Sequence, residues 1–243
     1  MGMANGFWAG TVLCLMSLLI RIKLPETPYF QKIKKQKVNH RTPIYALFSD
    51  PVVIKNLLLV ISLASCWGVF YQILFIWMPT YLTYIHHFTN ETTLQINSFF
   101  MVIFCCLIVC VGYCADYISR KFLLMLASTA MFIAAYPLFM LLSSGVLLNV
   151  YIAMTLFTVI FSVFIPTAFV CMVESFSTQI RYSALSMGFN IGLAIFGGTC
   201  PLIATWLIEV TGNKIAPAFY VMLFAALAFL TSIYIPDKRG QTI

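Results

Sequence analysis

Trp67 and Tyr71 stand four residues apart with Gln72 beside them, inside a run of thirty residues, 56–85, that holds no charge. Two π faces on one side of a helix, with an amide next to them, suit a ligand that carries a cationic head but little net charge. Asn190, about two turns into another uncharged run, offers a further amide, and these four residues are the candidate binding set. No charged residue falls in the middle of any such run, so a dianion would find no buried arginine or lysine to hold it, whereas a zwitterion would need none. The charges gather elsewhere. Asp116, Arg120, Lys121, Glu174 and Arg181 lie at the edges of the apolar runs. Glu174 and Arg181 bracket one short turn, where carboxylate and guanidinium groups form strong, partly desolvated hydrogen bonds.

Other reactive side chains point nowhere catalytic. Cys106, Cys110 and Cys114 share a helical face, but without a CxxC pair or a nearby histidine the eight cysteines read as small hydrophobes inside apolar segments. His86 and His87 accompany Glu91 in a solvated connection. No HExxH or GxSxG is present, so the expectation is no enzyme, no metal and no cofactor.

The elements that must position these residues follow from composition. Of 243 residues, 62% are hydrophobic and 9% charged, which water cannot solvate as a globular surface. The net charge of +7 then marks membrane orientation; a nucleic-acid partner would need a folded basic face, which this composition does not provide. The bilayer is the expected partner. The uncharged run 122–173 would be roughly 78 Å long as one helix at 1.5 Å per residue, so it must turn once, at Ser143-Ser144-Gly145. Seven spans result: 4–20, 56–84, 94–115, 122–142, 146–173, 182–207 and 216–235.

Alternating connections put Arg21, Lys23, Lys32, Lys34, Lys35, Lys37, Arg41, Lys55, Arg120, Lys121, Arg181, Lys238 and Arg239 on one side and Lys214 alone on the other. By the positive-inside rule the amino terminus is outside and the carboxyl terminus cytoplasmic. One long basic connection, rich in proline, divides the chain into a helix at 1–20, a cytoplasmic linker at 21–55, a six-helix unit at 56–236 and a tail at 237–243. Phe75 to Thr80 in the first helix of the six also echoes Phe164 to Thr167 in the fourth, as inverted three-helix repeats would.

Three segments resemble the major facilitator superfamily, and within it the metabolite:proton symporters that include proline/betaine transporters. Gly112 to Lys121 resembles the superfamily's loop of glycine, three residues, aspartate and then a basic pair. Phe176 to Ala184, followed by Gly188-Phe189-Asn190-Ile191, resembles the approach to the eleventh helix, and Leu24 to Phe30 the start of the central loop. Tyr117, Ser119 and Ser177 depart from the family's usual residues. The resemblance implies an all-α polytopic bundle: the carboxyl-terminal six-helix half of such a carrier, preceded by the last helix of the other half. It implies proton-coupled symport of proline, betaine or a related compatible solute across the bacterial inner membrane. It makes Asp116, Arg120, Lys121, Glu174 and Arg181 a cytoplasmic gate. A separately encoded amino-terminal half is the implied partner and would carry the acidic proton carrier. The alternatives are a non-transporting remnant or assembly subunit, and symport of a dicarboxylate or other organic acid.

Overall fold

The structure is a computed structural model that describes residues 2–23, 50–115, 117–178 and 180–235. It divides into two compact units, Met1–Arg41 and Thr42–Ile243. In the first, Gly2–Lys23 forms helix α1. The seventh expected span falls here; its apolar part among the described residues is Gly10–Ile22, shorter than a full crossing. Most of the linker, the tail 237–243 and Asp116 lie outside the described residues.

In the second unit, six helices are long and apolar enough to cross a membrane: α2 (Pro51–His86), α3 (Asn90–Ala115), α4 (Arg120–Ser143), α5 (Leu147–Glu174), α6 (Arg181–Thr211) and α7 (Pro217–Tyr234). They are the six expected, with ends shifted by chemistry that hydropathy does not register. Helix α2 begins five residues early because Asp50 caps it, its carboxylate accepting from Val52 N at 2.8 Å, with Pro51 at the first helical position. Lys55 therefore sits inside the helix, its ammonium 5.9 Å from the centre of the Tyr234 ring. The turn between α4 and α5 falls where expected, and Gly145 takes the left-handed conformation there (φ 68°) that other residues avoid.

Two features went unforeseen. Gln72–Trp77 in α2 and Leu193–Gly197 in α6 are wound as π-helix, each followed within four residues by a proline, Pro79 or Pro201. Pro166, the counterpart of Pro79 in the sequence echo, instead lies inside the uninterrupted α-helix α5. Helices α2 and α6 also meet along glycines. A Cβ on Gly192 would lie 2.6 Å from Ile61 O and 2.9 Å from Ser65 N, and one on Gly68 would lie 3.1 Å from Gly197 Cα. Along α6 the seam runs Gly188, Gly192, Gly197, four residues and then five. The π-turn absorbs the extra residue and keeps Gly197 in register.

The core lies among α2, α4, α5 and α7, where Leu63, Leu124, Phe139, Phe161 and Ala225 are fully buried. Polar side chains stitch it: Ser62 Oγ and Thr231 Oγ1 lie 2.7 Å apart between α2 and α7, and Asn56 Nδ2 donates to Ser175 O at 2.8 Å. Helices α3 and α6 are the least covered, with 17% and 22% of their spans buried against 44–61% for the others. Cys105, Cys106, Cys110 and Cys114 are consequently exposed on α3, where the sequence led us to expect packed thiols; Cys66, Cys171 and Cys200 are buried.

Candidate functional site

Trp67 and Tyr71 do form one face. Their rings stack nearly parallel, 6° apart in plane with centroids at 5.6 Å, because one helical turn of α2 sets them above each other. The stack is part of a longer path. On one side Phe189 of α6 meets Trp67 at 5.1 Å and Phe169 of α5 at 5.5 Å; on the other, Phe75 meets Tyr71 at 5.6 Å and Phe104 of α3 at 5.0 Å. The path crosses four helices and holds the two half-buried rings from both ends.

Gln72 opens the π-turn. Its Oε1 and the indole Nε1 of Trp67 are both buried and have no hydrogen-bond partner among the described residues. Each such group costs about 1–3 kcal/mol if left unmet. The stack thus carries one unmet donor, and the residue that follows Tyr71 carries one unmet acceptor. Asn190 does not join them. It is exposed, and its amide turns back along α6 to donate to Ser186 O at 2.7 Å; its neighbour Phe189 reaches Trp67 instead. A small cavity inside the half-bundle, lined by Phe70, Ile73, Phe157, Phe161 and others, holds about 10 Å³, room for one water and too little for a solute.

The charged cluster sits at the end of the bundle where α2 begins. Arg120 Nη1 donates to Glu174 Oε1, joining the start of α4 to the end of α5, with the side chains 26% and 15% exposed. Glu174 thus pairs across 54 residues. Arg181, expected opposite Glu174 across the turn, directs Nε and Nη2 to the carbonyl of Phe176 at 3.2 and 3.1 Å and closes the α5–α6 turn. Lys121 Nζ donates to Ile233 O at 2.6 Å, tying α4 to the end of α7. Asn56 and Ser175, which bind the start of α2 to the same turn, carry no charge and gave no signal in the sequence. At the opposite end His87, in the connection, and Glu91, which falls in the first turn of α3 instead of the connection, are both exposed. His86 differs: it is half-buried, 5.4 Å from the Tyr81 ring, with Nδ1 2.8 Å from where a Cβ on Gly145 would stand. The small left-handed residue of the α4–α5 turn makes room for the imidazole.

The Major Facilitator Superfamily profile matches residues 1–197. The chain is 32% identical over 244 residues to the glycine betaine/proline/ectoine/pipecolic acid transporter OusA of Dickeya dadantii, covering 98% of this chain and 48% of that protein. It is 30% identical over 247 residues to the proline/betaine transporter of Escherichia coli strain K12, covering 98% and 49%, and 29% identical to a putative proline/betaine transporter of Staphylococcus aureus. The chain spans about half the length of the curated relatives it matches. No solved structure matches it.

Proposed function

The chain belongs to the major facilitator superfamily and is a multi-pass membrane protein, and from that premise we propose that it supplies one half of a proton-coupled symporter for proline, betaine or a related compatible solute. The observation that carries this reading is the stacked Trp67–Tyr71 pair flanked by the unmet Trp67 Nε1 and Gln72 Oε1. A quaternary ammonium has no N–H to donate, so its methyl groups pack on the rings while its carboxylate accepts from the indole. Proline keeps N–H groups and adds a bond to Gln72 Oε1. The names of the relatives agree with this class of ligand.

The uncovered sides of α3 and α6 are the surface against which a second six-helix half would pack, enclosing the aromatic face between the two. Alternating access then works as a two-state equilibrium. Arg120 and Glu174, with Arg181 and Lys121 securing the neighbouring turns, hold the cytoplasmic ends together in one state and part in the other. Asp116 belongs to the same gate. The π-turns before Pro79 and Pro201 give α2 and α6 places to bend. The basic connections face the cytoplasm and the proton carrier lies in the partner half.

Uptake of labelled betaine, proline and 2-oxoglutarate into membrane vesicles, with and without an imposed proton gradient, tests the proposal. Gradient-dependent uptake of betaine and proline is expected. Gradient-dependent uptake of 2-oxoglutarate alone would defeat the zwitterion reading, and uptake equal to that of vesicles lacking the protein would defeat transport.

A further inference from the structure

The end of the bundle away from the ion pair carries a second set of groups. There α2 and α6 border a cavity of about 470 Å³, within the range of small-molecule sites. Its back wall is Trp77 and Tyr81, only 3% and 1% exposed. Both rings are fixed by hydrogen bonds: Trp77 Nε1 donates to Thr205 Oγ1 at 3.0 Å, and the Tyr81 hydroxyl donates to the carbonyl of Lys214 at 3.2 Å. Thr205 spends its own hydrogen on Pro201 O at 2.9 Å. What the cavity leaves available is the Thr80 hydroxyl, the Tyr84 ring, 77% exposed, and the carboxylate of Glu209.

Glu209 is exposed and makes no ion pair or hydrogen bond among the described residues. It lies in the last turn of α6, where the helix end carries partial negative charge, so a carboxylate there is disfavoured and gains from a cation. Lys214, the basic residue of the following turn, is not paired with it. Tyrosine at a membrane boundary is ordinarily an interfacial anchor, but anchoring calls for no carboxylate beside it. The remaining walls include Ile85 and Ile208, which suit methyl or methylene groups. An anion would be repelled by Glu209, and a neutral solute would gain nothing from its charge.

We propose that this cavity binds an alkylammonium group, held by the charge of Glu209 and the face of Tyr84. Trp67, Tyr71 and Gln72 do not line it: Tyr84 lies about 25 Å along α2 from Trp67, and the nearest wall, Trp77, about 15 Å. Binding here does not depend on transport and is read with no gradient present. The ammonium head can belong to a free solute or to a lipid headgroup, and the two sources are separable.

Dicyclohexylcarbodiimide modification of Glu209, read by peptide mass spectrometry on the full chain in amine-free detergent, reports on this cavity alone, with Glu209→Gln confirming the modified peptide. Choline should protect Glu209 at about one-tenth the concentration needed by its uncharged carbon analogue, 3,3-dimethylbutan-1-ol. Tyr84→Leu, a change at an exposed position, should raise the protecting choline concentration several-fold. Protection already present in phosphatidylethanolamine nanodiscs but not in phosphatidylglycerol nanodiscs identifies the lipid as the source; equal modification in both, with choline still protecting, identifies a free solute. Equal protection by choline and the alcohol, no protection by either, or no effect of Tyr84→Leu overturns the proposal.

Discussion

At the scale of single residues, the proposed binding face and the proposed gate make different demands. If Trp67 and Gln72 contact the solute as proposed, Trp67→Leu should raise the KM for betaine about five- to thirtyfold, the range of a desolvated cation–π contact. Gln72→Leu should impair proline more than betaine, because only proline has N–H groups for Oε1. Competition uptake with the two solutes measures both effects. At the gate, Glu174→Gln removes the charge that Arg120 meets in a mostly buried setting. We expect about a tenfold loss of uptake rate with little change in KM, partly restored by the swap Arg120→Glu with Glu174→Arg. The rings could be read from spacing, because positions four apart on a helix share a face whatever the fold. The partner of Glu174 could not: 54 residues separate it from Arg120, and Arg181 was nearer in sequence. The conformation of Asn190 was not legible either, since an amide in a helix can satisfy itself on the preceding turn.

At the scale of elements, hydropathy and charge outlined the six helices because the bilayer imposes a length and excludes charge. The π-turns and the glycine seam escaped notice because both depend on how α2 and α6 meet, not on either helix alone. The seam makes a direct prediction. Gly192→Leu places side-chain atoms against Ile61 O, Ala64 and Ser65, so the purified protein should lose several degrees of melting temperature or fail to fold, as followed by thermal unfolding in detergent. Gly198→Ala, where a Cβ meets nothing within 4 Å, should melt like the unmodified chain. Equal melting of all three would mean that the close approach of α2 to α6 contributes nothing to stability.

At the scale of the molecule, the uncovered α3 and α6 and the orientation of the bundle are linked claims. With the α5–α6 turn cytoplasmic, a membrane-impermeant maleimide applied to intact cells should label Thr211→Cys but not Ser177→Cys, both exposed positions near opposite ends of α6, in a background without native cysteines. Labelling of Ser177→Cys alone would invert the topology and move the Arg120–Glu174 pair to the outer face. The central claim joins fold to chemistry: a major facilitator half presents Trp67 and Tyr71 to a zwitterionic solute that a proton gradient drives inward. The most direct measurement is gradient-driven uptake of labelled betaine by membrane vesicles from the native host carrying the unmodified gene, the Trp67→Leu gene or a deletion of the gene. Uptake that is high with the unmodified gene, strongly reduced at low substrate by Trp67→Leu and absent in the deletion is the predicted result; uptake that is the same in all three would contradict it.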